Sequence, residues 1–323
     1  MRYLITLKAL EPFMFGGDQT FGKLGDKEAG SYLVKSRMFP QQTAVLGMLR
    51  KEMMTQAGLL TRKLRGEWVD PQKKAKAVLL VGKEKFDMRS PKVQDLGCIK
   101  HIGPVFLLKE GKRYLKKADI DTYPYKDGKL EGYDAKKEIY DNFVSPDSEE
   151  RLTASDIFRP VEQTGNKKGG EENSLFKKTA YLLKDGFTFA FYAQIDMALK
   201  DALVSLGADR SSFMMKVQEA GEASLDYTDA QGCLTLLSDA YITLPIKEHC
   251  RFAVTREISH RNLTGKKYAG RKYDNALQKS DTLYLYEKGS VFIEPSAALM
   301  EHLKNENLQP IGYNIYTIKG ENQ

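Results

Sequence analysis

Hydrophobic positions alternate in some stretches of the chain and recur every three to four residues in others, and the two periods predict its elements. Residues 3–10 are rich in strand formers and stop at Glu11-Pro12, where proline ends a ladder. A loop with Gly16, Gly17, Gly22, Gly25 and Gly30 follows. Phe39-Pro40 opens a helix, since proline is tolerated in a first turn, and Val45, Leu46, Leu49 and Met53 form its apolar stripe. Thr43, Gly47 and Arg50 share another face at i, i+4 and i+7. A mid-helix glycine costs about 1 kcal/mol against alanine. Gly47 therefore serves either close packing on a strand or the approach of a ligand backbone.

Residues 58–100 are basic and irregular, with room for a short helix and a strand. Residues 104–115 predict a hairpin turning at Glu110-Gly111-Lys112. Residues 119–172 are polar and tyrosine-rich, a long loop expected to hold insertions or partner-binding segments. Residues 175–183 and 187–195 read as two strong strands, joined as a hairpin by Lys184-Asp185-Gly186. Leu199, Ala202, Leu203 and Leu206 fall at helical spacing before Gly207, and Phe213, Met215 and Val217 alternate as a strand. In order this is strand, helix, strand, strand, helix, strand: the βαββαβ, ferredoxin-like pattern.

The remaining residues predict a second, less complete unit of the same kind. Strands are expected over 233–244 and 252–258, then a basic loop over 259–280, a hairpin over 283–293 turning at Lys288-Gly289, a helix over 297–305 and a strand over 312–318. The fold class is thus α+β, two ferredoxin-like (RRM-like) domains with long insertions. The boundaries are 1–225, with the insertion at about 58–172, and 226–323, with the basic loop at 259–280.

Composition adjusts this picture only modestly. The 323 residues suit two domains, and 41% hydrophobic content suits packed cores. Lysine and arginine outnumber acids 50 to 43, a net charge of +7 that permits a nucleic-acid partner without requiring one. Cys98, Cys233 and Cys250 form no CxxC pair and read as buried free thiols of a reducing compartment. The first residues resemble a strand rather than a signal peptide, and no run approaches the roughly 20 apolar residues of a membrane helix. The expectation is a cytoplasmic protein.

Catalytic signatures are missing from the sequence. It has no GxxxxGK[ST], GxGxxG after a strand, HExxH or GxSxG, and His101, His249, His260 and His302 are scattered, so no metal and no cofactor is expected. His260 opens the basic loop, where it could act as a general base on a 2′-hydroxyl, stack on a base or cap the strand. General-base work needs a second group that the sequence does not identify, and the reading is no enzyme. Glycine loops near Gly16, Gly169 and Gly207, with the basic loop, are either ordinary turns or phosphate cradles, since glycine lets backbone N–H groups approach an anion.

The segments YLITLKALEPFMFGGDQTFG and SRMFPQQTAVLGMLRKEM resemble the opening of RAMP-superfamily subunits of CRISPR effector complexes, with Pro40, Thr43, Gly47 and Arg50 at the family's helix spacing. RPVEQTGNKKGGEENSLFKKTAYLLKDGFTFAFYAQI resembles the family's two-strand segment, LVSLGADRSSFMMKV its glycine loop, and EKGSVFIEP with IGYNIYTI its C-terminal elements. The likeness is strongest to the type III-B (Cmr) subunits that hold the crRNA 5′ tag. It implies a non-catalytic crRNA-binding subunit that docks a large polymerase-like subunit and an adjacent backbone RAMP subunit in antiviral defence. On that reading Lys35, Arg37 and Arg50 approach the tag from the first domain. Lys167, Lys168, Gly207 and Arg210 do so from its loops, and His260, Lys266, Lys267 and Arg271 from the second domain. Two rival readings are a metal-independent endoribonuclease of RAMP type, using His260 with Lys266, and a purely architectural subunit.

Overall fold

The computed structural model describes residues 1–16, 19–21, 32–61, 63–64, 67–68, 70–82, 86–134, 136–166, 175–207, 210–221, 232–261, 263–264, 278–279 and 281–318. It is an α+β structure of mostly antiparallel sheets and few helices. Among the described residues no helix is long and apolar enough to cross a membrane. Cys98, Cys233 and Cys250 are free; Cys233 is buried, whereas the other two are half-buried.

The first half is built on β1 (Arg2–Ala9), α1 (Gln42–Gln56), α2 (Pro71–Val81), β2 (Phe106–Lys109), β3 (Lys112–Lys116), β4 (Phe158–Asn166), β5 (Leu175–Leu183), β6 (Thr188–Ile195), β7 (Ala202–Leu206) and β8 (Ser211–Glu219). Its large sheet runs β3-β2-β6-β1-β8-β7, with the short strands Asn142–Val144 and Arg151–Thr153 extending the β3 edge. The four strands β8-β1-β6-β2 pair antiparallel throughout. Val45, Leu46, Leu49 and Met53 of α1 are at most 2% exposed and join the core cluster that includes Ile5, Leu7, Phe189, Phe191, Phe213 and Met215. Each such side chain contributes roughly 1.5–3 kcal/mol by leaving water, so the helical stripe and the alternating strands specify one another.

The expected hairpin at 104–115 forms, with Glu110 and Gly111 at φ 51° and 78° and β2 paired to β3. The one expected over 175–195 does not. Gly186 makes a turn at φ 85°, but β5 pairs with β4 and with the strand Tyr32–Lys35, whereas β6 joins β1 and β2. The turn passes the chain from one sheet to another. Residues 199–206 also differ from expectation: they hold β7, an edge strand paired to β8, and not a helix. Val204 and Leu206 point inward at 6% and 3% exposure, while Leu203 stands 64% exposed. A segment of eight residues satisfied both periods, and pairing with β8 decided between them. The second helix of βαββαβ is therefore a strand in this chain.

The second half comprises β9 (Cys233–Leu236), β10 (Cys250–Val254), β11 (Glu257–His260), β12 (Leu283–Tyr286), β13 (Val291–Pro295), α3 (Ala297–Leu303) and β14 (Tyr316–Ile318). One antiparallel sheet runs β10-β13-β9-β14, and β11 pairs separately with β12. Lys288-Gly289 again turns between sheets, so the hairpin expected over 283–293 is absent. Leu234, Leu236 and Phe292 pack with Leu299 and Leu303 of α3 on one face. On the other, Cys233, Val291 and Ile293 meet Ile120 and Ile139, with Tyr125 stacked on Phe252 at 4.7 Å. The 119–141 part of the expected long loop is thus a packed cover. It occupies a sheet face that an RRM-like platform would leave open.

Candidate nucleic-acid interface

The segment 13–16 is a meeting point. Phe13 exchanges backbone hydrogen bonds with Tyr181 of β5 at 2.8 and 3.0 Å, and Ser36 N–H donates to the Thr179 carbonyl at 2.8 Å. Phe15 N–H donates to Ser36 Oγ at 2.9 Å, and Arg37 N–H to the Gly16 carbonyl at 3.0 Å. The Gly207 turn closes on the same segment at φ +97°; a Cβ there would lie 2.4 Å from the Met14 carbonyl oxygen. Arg37 completes the gathering, because its Nη2 donates to the Ser259 carbonyl and, at 3.4 Å, to Ser259 Oγ. The start of the N-terminal glycine loop, the Gly207 turn, the flank of the β4–β5 hairpin and the entry to the basic loop so converge on one place.

Below it the two halves share a buried seam. Gln42 Nε2 donates to the carbonyls of Gly103 and Gly312 at 2.9 and 3.0 Å. Tyr313, fully buried, places its hydroxyl 3.4 Å from Thr43 N and 3.5 Å from Thr43 Oγ1 at the start of α1. The His260 ring, 1% exposed, meets Tyr313 edge-on at 6.1 Å. Lys288 is buried, donates to the Val105 carbonyl at 2.9 Å and lies 4.1 Å over the Phe39 ring. Burial lowers its ammonium to about 8, against the opposing pull of Asp239. Lys116 bridges Asp141 at 3.1 Å and Glu287 at 2.7 Å, and Arg256 contacts Asp141 at 3.1 Å. Burial alone would raise the Asp141 carboxyl; Lys116 and Arg256 outweigh it and hold the group below its ordinary value.

The residues expected at RNA divide accordingly. Lys35 is exposed at the end of the strand Tyr32–Lys35, and Arg37 joins the cluster two residues on. Gly207 and Arg210 sit on the adjoining turn, Gly207 as a packing glycine and Arg210 exposed at φ 56°. Arg50 and His260 are buried, unlike Lys35 and Arg210. Arg50 is 9% exposed; burial lowers its guanidinium, opposed by Asp95, and it belongs to the interior behind α1. His260 faces Tyr313 inside the seam. Lys167, Lys168, Lys266, Lys267 and Arg271 lie outside the described residues. Gly47 is exposed with nothing within 4 Å of a Cβ, so it makes no close packing contact with a strand. Ser36 and Ser259 organise the site without standing out in the sequence as ligand groups; Ser36 opens the run SRMFPQQT, and Tyr313 lies in the C-terminal run IGYNIYTI. Among the described residues no group of three or more histidine, cysteine, aspartate or glutamate side chains could hold a metal.

Residues 5–116 match the family described as CRISPR-associated protein (Cas_Cmr3). A chain of the cryo-EM structure of the type III-B Cmr-beta bound to cognate target RNA is similar at 14% identity and a TM-score of 0.55, with 98% of each chain covered. The protein resembles a RAMP-like type III-B Cmr subunit. A chain of the same complex bound to cognate target RNA and AMPPnP gives 14% identity and a TM-score of 0.52, with 99% of each chain covered. At that identity the structural likeness is one of fold. No curated protein matches the chain.

Proposed function

We propose that the chain is a non-catalytic crRNA-binding subunit of a type III CRISPR effector complex. It caps the crRNA 5′ tag at the loop cluster and docks a large polymerase-like subunit and an adjacent backbone RAMP subunit. The observation that carries this reading is the Arg37 contact with Ser259, which gathers Lys35, the Gly207 turn and the entry to the basic loop at one edge. A single bound strand can meet cations from both halves there. Phosphate contacts of that kind position RNA without reading its sequence.

We read the two halves, 1–225 and 226–323, as ferredoxin-like units. The orders β8-β1-β6-β2 and β10-β13-β9-β14 support this, because each equals the 4-1-3-2 order of that fold or its reverse, with antiparallel neighbours. The burial of His260 favours a non-catalytic role, since a general base must reach the proton it abstracts.

The test titrates the full chain into a labelled RNA bearing a repeat-derived 5′ tag, between about 50 and 200 mM salt. Binding should weaken steeply with salt, and Lys35→Ala with Arg37→Ala should weaken it and flatten the salt dependence. Absence of binding, or site-specific cleavage that His260→Ala abolishes, would overturn the proposal.

A further inference from the structure

The large sheet has a second face, opposite α1, that the loop cluster does not use. Cross-strand register assigns its residues. Arg2 stands opposite Gln194, Leu4 between Tyr192 and Gln218, Thr6 between Ala190 and Lys216, and Met214 between Lys8 and Leu203. At the β2 end this face is covered, because Phe106, Leu115 and Ala190 pack against Leu237 with Ile315 beside them. Beyond Ala190, over the Gln194 end of β6 and over β1, β8 and β7, it is open, with Leu4 and Tyr192 packed at the edge of that cover and the Tyr192 ring 5.6 Å from Phe106. Tyr192, Leu4, Thr6 and Met214 are half-buried, Lys8, Lys216, Gln194 and Gln218 are exposed, and Leu203 is 64% exposed.

The chemistry of the open part is one-sided. Its outward positions on the described strands carry Arg2, Lys8 and Lys216 and no carboxylate. Lys8 and Lys216 have no ion-pair partner among the described residues. Acids stand at the rim, among them Glu11, which accepts from Ser212 N–H at 2.6 Å. Asp196 pairs with Lys100 at 3.5 Å, and Asp201 accepts from Val217 N–H at 2.8 Å. An aromatic ring on a central strand, amide side chains beside it and cations around it form the set with which sheet platforms stack single-stranded bases. A hydrophobic protein partner fits less well, because exposed lysines stand among the apolar groups.

We propose that this open face binds single-stranded RNA. One base stacks on Tyr192 next to Leu4, Gln194 and Gln218 meet base edges, and Lys8 and Lys216 meet phosphates. The row of Leu203, Met214 and Lys8 lies toward the end of β1 that leads to segment 13–16, so a strand leaving the loop cluster can continue onto the face. The inference does not depend on the tag-binding reading, since stacking on a platform is tolerant of sequence.

The experiment uses the full chain and a labelled, mixed-sequence RNA single strand of about eight nucleotides, within the site sizes of single-strand binders. Tyr192→Ala should weaken binding about five- to a hundredfold, whereas Tyr192→Phe preserves it. Lys216→Glu should weaken binding and flatten its salt dependence, and ultraviolet crosslinks should map to the peptides containing Tyr192 and Lys216. Circular dichroism establishes that the variants fold; Lys216→Glu, at an exposed site, carries the test if Tyr192→Ala does not. Unchanged affinity in the folded variants, or crosslinks confined to the Arg37–Ser259 region, would overturn the inference and leave the face to an acidic protein surface. Arg37→Ala separates the two readings: it bears on tag binding, and Tyr192→Ala on the sheet face.

Discussion

Lys288 is the most informative residue to perturb, because it is a cation stored inside the seam between the two halves. Its ammonium sits at about 8 in the folded chain, against 10.5 as the ordinary value. Below pH 8 both states carry the proton, and the folded state bears the desolvation cost of a buried charge. Between pH 8 and 10.5 the folded state has released the proton that the unfolded state still holds, so stability rises with pH through that window. The difference in pKa corresponds to about 3 kcal/mol, of which about 2 kcal/mol is recovered between pH 7 and pH 9.5. Lys288→Met keeps the length of the side chain and removes the charge. It also removes the bond to the Val105 carbonyl and the contact over Phe39. Urea unfolding of both proteins across this pH range, with the mutant curve subtracted, isolates the lysine. Tyr114 and Tyr313, whose hydroxyls burial holds above their ordinary values, contribute equally to both curves. The difference should slope upward with pH by about 2 kcal/mol in favour of the parent. Parallel curves would refute the assignment of a charged, desolvated lysine to the seam.

Two glycines should respond oppositely to the same change. Gly207→Ala drives a Cβ to 2.4 Å from the Met14 carbonyl at positive φ and should destabilise the chain by more than about 2 kcal/mol. Gly47→Ala meets open space on a helix and should raise stability by about 0.5–1 kcal/mol, measured as a shift in urea midpoint. Lys116→Met removes the buried cation between Asp141 and Glu287 and should cost about 2–3 kcal/mol, less than a fully buried pair because Arg256 remains. In that variant the Asp141 carboxyl, released from Lys116, should titrate higher by carboxylate NMR, and an unmoved titration would count against the triad.

Much of the local structure was legible in the residues. The strand formers of β1, the stripe of α1 and the turn at Glu110-Gly111 each reflect one short-range preference, and each appears where expected. At the site, the loops near Gly16 and Gly207 and the start of the basic loop do meet, with Arg37 as their connector. Arg50 and His260 escaped this kind of reading. Their charge and placement in a motif or basic loop suggested exposure, and only packing against α2, the loop holding Asp95 and Tyr313 determines that they are inside.

The sequence by itself determined where the chain could be a strand, a helix or a turn, because φ preferences and side-chain periods act over a few residues. It also determined which loops carry cations, since those charges are written in order along the chain. Partners were another matter. Asp185-Gly186 and Lys288-Gly289 look like hairpin turns, yet each passes the chain between sheets, because a turn prescribes a change of direction and not the neighbour of the next strand. Residues 202–206 became a strand because the edge of β8 offered hydrogen bonds. The open face around Tyr192 exists only because the second half covers part of that sheet and stops, which no local pattern encodes.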